Sequence, residues 1–223
     1  MTGMEASQAA EMTVKVTCSS ADKGSYKMTV LFEKVTASNL IAGNVQEDPS
    51  AAQMTGKTAV FNVDSHGNVS NIAPGPGFDV WSSVSQVVEP TLKNWYVYLP
   101  DKVVAPGGEW KRENFRDKSA SGAEYVTNET FKFRESRKDK GVELAVVDED
   151  VTATIGGTTE TPIGAFKLAG TGVGKFEFFF DPARGTIPHF KGTMETSIDM
   201  TPQSGGMAMK TTVANHIERD LLE

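Results

Sequence analysis

Apolar and polar side chains alternate along most of this chain. Met12, Val14 and Val16 alternate with Thr13, Lys15 and Thr17, and Tyr26, Met28, Val30 and Phe32 alternate with Lys27, Thr29 and Glu33. A period of two sends successive side chains to opposite faces of an extended backbone, so these runs predict two paired strands joined by the turn Ser19-Ser20-Ala21-Asp22-Lys23-Gly24. The rhythm returns over 125–133, 142–147, 151–155, 165–168, 174–180, 186–198 and 207–217, where clusters of Gly, Asp and Pro separate the expected strands. Residues 1–10 are small and polar and read as a disordered N-terminus, and residues 36–55 read as a polar excursion. On the 174–180 strand Phe176, Phe178 and Phe180 share one face while Phe179 points to the other, so that strand needs cover on both sides.

One segment has a different period. Trp81, Val84, Val88, Leu92 and Trp95 recur at three- and four-residue intervals, which predicts a helical segment over about 78–97 with Asp79 and Ser82 near its start. Pro90 removes a backbone donor inside it, so a kink or a division near Glu89 is expected. The connector Leu99-Pro100 to Trp110, rich in Pro and Gly, reads as the seam between two halves, about 11–98 and 109–217, of a single β-rich domain spanning 11–223.

The two halves share a hairpin. Gly56/Gly174, Gly67/Gly185, Val69/Ile187 and Ile72/Phe190 are spaced by 118 residues, and Phe61/Phe178 and Asp64/Asp181 by 117. In each copy an Asp positioned to close the turn with its own carboxylate precedes a Gly that tolerates positive φ. The expected fold is therefore mainly β, a curved antiparallel sheet or half-barrel built from two related halves with the helical segment as cover.

Composition bounds function only broadly. In 223 residues, 39% hydrophobic and 23% charged, there is enough apolar material for a core. A net charge of -7 and a pI near 5.1 argue against a phosphate backbone as partner, which needs clustered Lys and Arg, so no nucleic-acid partner is expected. No run of 18 apolar residues crosses a bilayer. Met1-Thr2-Gly3-Met4-Glu5-Ala6-Ser7 lacks the basic and apolar regions of a secretory signal, so a periplasmic or extracellular place requires a signal already removed. Cys18 is the single cysteine, which forbids an intrachain disulfide and leaves a small buried or half-buried strand residue.

Catalytic constellations are missing. There is no His-Glu-x-x-His, Gly-x-Ser-x-Gly or calcium-loop pattern. Gly170-Thr171-Gly172-Val173-Gly174-Lys175 lacks the first Gly and the final Ser or Thr of a phosphate loop and reads as a glycine-rich β turn. Asp148-Glu149-Asp150 reads as a solvated bend rather than a calcium site, although Asp148, Glu149 and Glu195 could meet as acids in space. His66 and His189 occupy non-equivalent places in the two hairpins, and no carboxylate stands at ligand spacing from them, so surface imidazoles are expected and no metal. Met194, Met200, Met207 and Met209 fit core packing better than copper. Asn68-Val69-Ser70 and Asn128-Glu129-Thr130 match a glycosylation acceptor pattern too short to carry weight.

The connector Leu99-Pro100 to Pro106-Gly107-Gly108-Glu109-Trp110, with the strand-Asp-x-x-Gly-strand signatures at Phe61 to Val69 and Phe178 to Ile187, resembles a group of uncharacterised extracytoplasmic bacterial β proteins. The resemblance implies an envelope or extracellular setting and an antiparallel β fold; it implies no activity. The architecture is also similar to half-barrel lipoprotein carriers, without a shared motif. The expectation is a non-enzymatic protein without cofactor that binds an apolar or lipid-like ligand lined by Trp81, Val84, Val88, Phe176, Phe178 and Phe180. The alternative is a cell-envelope or surface assembly module whose strand edges and aromatics contact other proteins.

Overall fold

The computed structural model describes residues 6–41, 44–118, 122–161 and 164–220. The protein is mainly β and divides into two compact units, Met1–Leu99 and Pro100–Glu223, each built on its own antiparallel sheet. The first unit comprises β1 (Ala6–Asp22), β2 (Ser25–Ile41), β3 (Asn44–Glu47), α1 (Pro49–Ala52), β4 (Thr58–Asp64), β5 (Val69–Pro74) and α2 (Trp81–Lys93), with strand order β1-β2-β4-β5 and β3 paired to β2. Alternation drives the packing: Val30, Phe32, Ala59, Phe61 and Val63 point inward from β2 and β4, and the Val84, Val88 and Leu92 stripe of α2 joins them in one apolar core.

Several expectations change here. Residues 6–10 are not disordered but extend β1, with Ala6 opposite Ile41 and Ala10 opposite Ala37; small side chains leave the backbone ladder free to form. Residues 1–5 lie outside the described residues. The expected excursion over 36–55 begins only after β2 ends and contains β3 and α1. A single helix, α2, runs through Pro90, which lies in its last turn, where the missing donor removes one bond near an end that frays anyway. Val80 caps α2 without a side-chain hydrogen bond, with Asp79 just before it and Ser82 in the first turn. Cys18 is exposed on β1 rather than buried, within the run Lys15 to Lys23 whose residues are all exposed.

The second unit is a six-stranded meander of β6 (Glu109–Lys118), β7 (Ala123–Asp139), β8 (Val142–Thr161), β9 (Gly164–Asp181), β10 (Thr186–Pro202) and β11 (Met209–Asp220), each paired with its neighbours in the chain. Two expected strand breaks are absent. Asp148-Glu149-Asp150 continues β8, because Glu149 turns inward with Val147 and Val151 while Asp148 and Asp150 point out, which preserves the alternation. Gly170, Gly172 and Gly174 lie inside β9 and make no turn. A Cβ on Gly172 would fall 2.7 Å from Met194 Cε, and one on Gly192 would fall 2.0 Å from Phe176 Cδ1. The glycines thus form a trough in which the Phe176 and Met194 side chains lie.

Neither sheet closes or curls into the expected half-barrel; each is an open path whose first and last strands do not pair. The connectivity β1-β2-β4-β5 nevertheless corresponds to β7-β8-β9-β10. Asp22-Lys23-Gly24 and Asp139-Lys140-Gly141, spaced by 117 residues, make the same two-residue turn, with Lys23 and Lys140 at φ 44° and 45° and Gly24 and Gly141 at φ 83° and 89°. Two consecutive positive φ values match the right-handed twist of a hairpin, and glycine takes the second at least cost. Past the turn one residue is looped out of the first strand, Ser19 in β1 and Arg134 in β7, and the pairings then correspond: Val14 faces Phe32 as Phe131 faces Glu149.

The later hairpins also match. Asp64 accepts from the backbone N–H groups of His66 and Asn68, both at 2.9 Å, and Asp181 accepts from those of Ala183 at 2.9 Å and Arg184 at 3.1 Å. Gly67 and Gly185 follow at φ 84° and 65°. At Gly67 the need is twofold, since a Cβ there would also fall 2.4 Å from the Val97 carbonyl oxygen.

Candidate functional site

The six residues expected to line a ligand site fall into two sets. Val84 and Val88 are buried in the core of the first unit, and Trp81 is half-buried at the start of α2, edge-on to Phe78 at 5.2 Å. Phe176, Phe178 and Phe180 share one face of β9 in the second unit; Phe178 is buried, and the Phe190 ring lies 4.7 Å from Phe178 and 5.5 Å from Phe176. Phe179, on the opposite face, meets His189 edge-on. Packing within each unit therefore already engages Trp81, Val84, Val88, Phe176 and Phe178.

The inward face of the second sheet carries charge that the sequence did not place there. Arg112 on β6 stands opposite Glu129 on β7, donating from Nε and Nη2 to Oε2 at 2.6 Å each, while Thr127 Oγ1 donates to Glu129 Oε1 at 2.9 Å. Glu149 is 9% exposed. Burial, aided by the nearby Glu129 charge and opposed by Arg112, pushes its carboxyl up to about 8, so it is neutral at pH 7. Of the three acids considered together from sequence, Asp148 and Glu195 lie on the other face from Glu149.

The outward face carries a ladder of ions. Asp148 and Glu177 stand directly opposite one another, and Arg134, the residue looped out of β7, bridges them at 2.7 and 2.5 Å. Lys191 Nζ reaches Glu177 from β10 at 3.1 Å. The hydrogen bond to Glu177 raises the Arg134 guanidinium; burial works against ionised Glu177, but Arg134 and Lys191 outweigh it and hold that carboxyl low.

His189, Glu218 and Asp220 bring one imidazole and two carboxylates within 4.8 Å of each other, with His189 Nδ1 2.6 Å from Asp220 Oδ1. No carboxylate stands at ligand spacing from His189 along the chain, but β11 brings both through its register with β10. The donors would suit a divalent first-row ion, but Glu218 and Asp220 are exposed, and the His189–Asp220 hydrogen bond already accounts for their approach.

The most distinctive surface is the outer edge of β11. Among the described residues every other sheet edge is interrupted. β1 loops out Ser19; β5 sets Asn71 and Ile72 against Phe61, with Asn71 at φ 53°; β6 sets Glu113 and Asn114 against Asn128, with Asn114 at φ 53°; β3 is four residues long. Bulges, positive φ and shortness blunt an edge against further pairing. β11 has none of these. Its twelve residues keep unbroken register with β10 from Met209 opposite Met200 to Asp220 opposite His189. Between Lys210 and Glu218 stand Thr211, Thr212, Val213, Ala214, Asn215, His216 and Ile217, with no proline, glycine or carboxylate, and Val213 is 40% exposed. A recess along Val173, Lys175, Thr193, Glu195, Ala214 and His216 opens beside the same strands. No helix among the described residues is long and apolar enough to cross a membrane.

The pattern over 207–217 predicts a strand but not an edge, because alternation looks the same wherever a strand stands in its sheet. The signal that could have helped is the charge-poor run Thr211 to Ile217. Comparisons with family models, curated proteins and solved structures give no match for this chain.

Proposed function

We propose that this protein is a non-enzymatic assembly module that works by strand addition at the outer edge of β11, in the extracytoplasmic setting that the connector and hairpin signatures imply. The observation that carries the reading is the contrast between β11, long and unbroken, and the interrupted edges β1, β5 and β6. An unpaired edge offers a row of backbone donors and acceptors to an incoming strand, and natural sheets ordinarily protect such rows. The apolar-ligand alternative draws less support, since Val84 and Val88 belong to the core of the first unit and Phe178 is buried against Phe190. The matched turns, looped-out residues and pairings further support derivation of the two meanders from one duplicated unit.

A photo-crosslinking residue placed at Val213 and expressed in the protein's own host tests the assembly reading. The expected result is a discrete protein adduct, lost when Thr211→Lys and Asn215→Lys place charge on the same edge. Recovery of no adduct at Val213 from folded protein would overturn it.

A further inference from the structure

We infer that the occupant of the β11 edge is a second copy of this chain, paired antiparallel about a two-fold axis at Asn215. The inference rests on the assembly reading above and names its partner. It comes from the self-complementarity of the strand. With Asn215 opposite its own symmetry mate, Lys210 faces Asp220, Thr212 faces Glu218 and Val213 faces Ile217 across the new ladder. Opposite charges and paired β-branched side chains directly across a ladder are favourable, and each occurs twice by symmetry. Asp220 accepts at Oδ1 from His189 Nδ1, and its other oxygen faces the incoming Lys210 in this register.

Other registers fit less well. A one-residue slip sets Lys210 against Arg219 and turns one copy's inward face to the other side. A two-residue slip keeps a charge pair, Lys210 with Glu218, but sets the exposed Val213 against Asn215. The Asn215-centred register alone of the three pairs both the charges and the apolar residues. It joins two six-stranded sheets into one of twelve strands and removes an open edge from each copy.

The test uses the full chain with Cys18→Ser, so that introduced cysteines stand alone. Light scattering with size exclusion should give a dimer, and Asn215→Cys should form an intermolecular disulfide under mild oxidation. A mixture of Lys210→Cys and Asp220→Cys proteins should give the mixed disulfide in preference to either symmetric one. Asn215→Lys, which opposes two like charges on the axis, should weaken dimerisation roughly tenfold or more without unfolding the protein.

A mixed disulfide between Lys210→Cys and Glu218→Cys instead would overturn the register. A monomer at about 100 μM, far above what a stable interface of this kind requires, would overturn self-pairing. If the monomer still gives a Val213 adduct with a different protein in its host, the edge reading survives without the self-pairing. If that adduct is lost as well, both fail.

Discussion

At matching places in the two meanders stand Phe32 and Glu149, each eight residues past the glycine of its Lys-Gly turn and each facing the corresponding residue of the preceding strand, Val14 or Phe131. Phe32 is 1% exposed, in an interior that α2 completes with apolar side chains. Glu149 is 9% exposed, beside the Arg112–Glu129 ion pair. One backbone arrangement therefore tolerates two chemistries at a single inward position. Turn and register hold the hairpin, while the neighbours on adjacent strands decide whether an acid is acceptable there. In the second unit Arg112 neutralises Glu129, and Glu149 is accommodated by keeping its proton.

The comparison breaks most readily on the apolar side. Phe32→Ala should destabilise the first unit by about 3–5 kcal/mol, the range for a large ring removed from a closed core, as read by urea unfolding. A cost near zero would mean that Phe32 does not hold the interior it touches.

The next effect is pH-dependent. The pKa of Glu149 is raised in the folded state, so between its ordinary value of 4.5 and about 8 the folded form binds more protons than the unfolded one. The second unit should thus be most stable below the lower limit and lose stability as pH rises through the upper one, by an amount on the order of a few kcal/mol. Glu149→Gln should flatten that profile and raise stability at pH 8. A wild-type profile unchanged by Glu149→Gln across pH 5–9 would contradict the buried neutral acid.

A smaller effect sharpens the likeness between the units. Asp64→Ala and Asp181→Ala each remove a carboxylate that accepts two turn N–H groups, and each should cost about 1–2 kcal/mol. For Asp64, burial opposes ionisation but hydrogen bonds from Asn68 and His66 prevail, so its contribution is present above 3.8 and lost as pH falls through the lower folded value. Unfolding followed at pH 2–5 in wild type and Asp64→Ala checks this. The smallest effect belongs to the outward ladder: Arg134 is 42% exposed, and Arg134→Ala should cost less than about 1 kcal/mol and be largely masked by salt.

Alternation made the strands legible and the three-four spacing made α2 legible, because burial of one face imposes those periods directly. Breaks were harder. Asp148-Glu149-Asp150 and Gly170-Thr171-Gly172 carry residues that elsewhere end strands, yet β8 and β9 run through them, with the Arg112–Glu129 pair near Glu149 in one case and Met194 against Gly172 in the other. The edge at β11 was invisible for another reason, since order within a sheet arises from the path of the whole chain.

That path also bears on the sequence of events in folding. In the second unit each strand pairs with the one just made, and β7–β8 starts from a two-residue turn, so loop closure is short at its outset and each added strand extends an existing ladder. In the first unit β4 must return to β2 across β3 and α1, a longer closure. Stopped-flow refolding of the two units, each followed at its own tryptophans, should therefore give an earlier phase at Trp110 than at Trp81 and Trp95. The same turn, written twice, would then begin two processes that finish at different times.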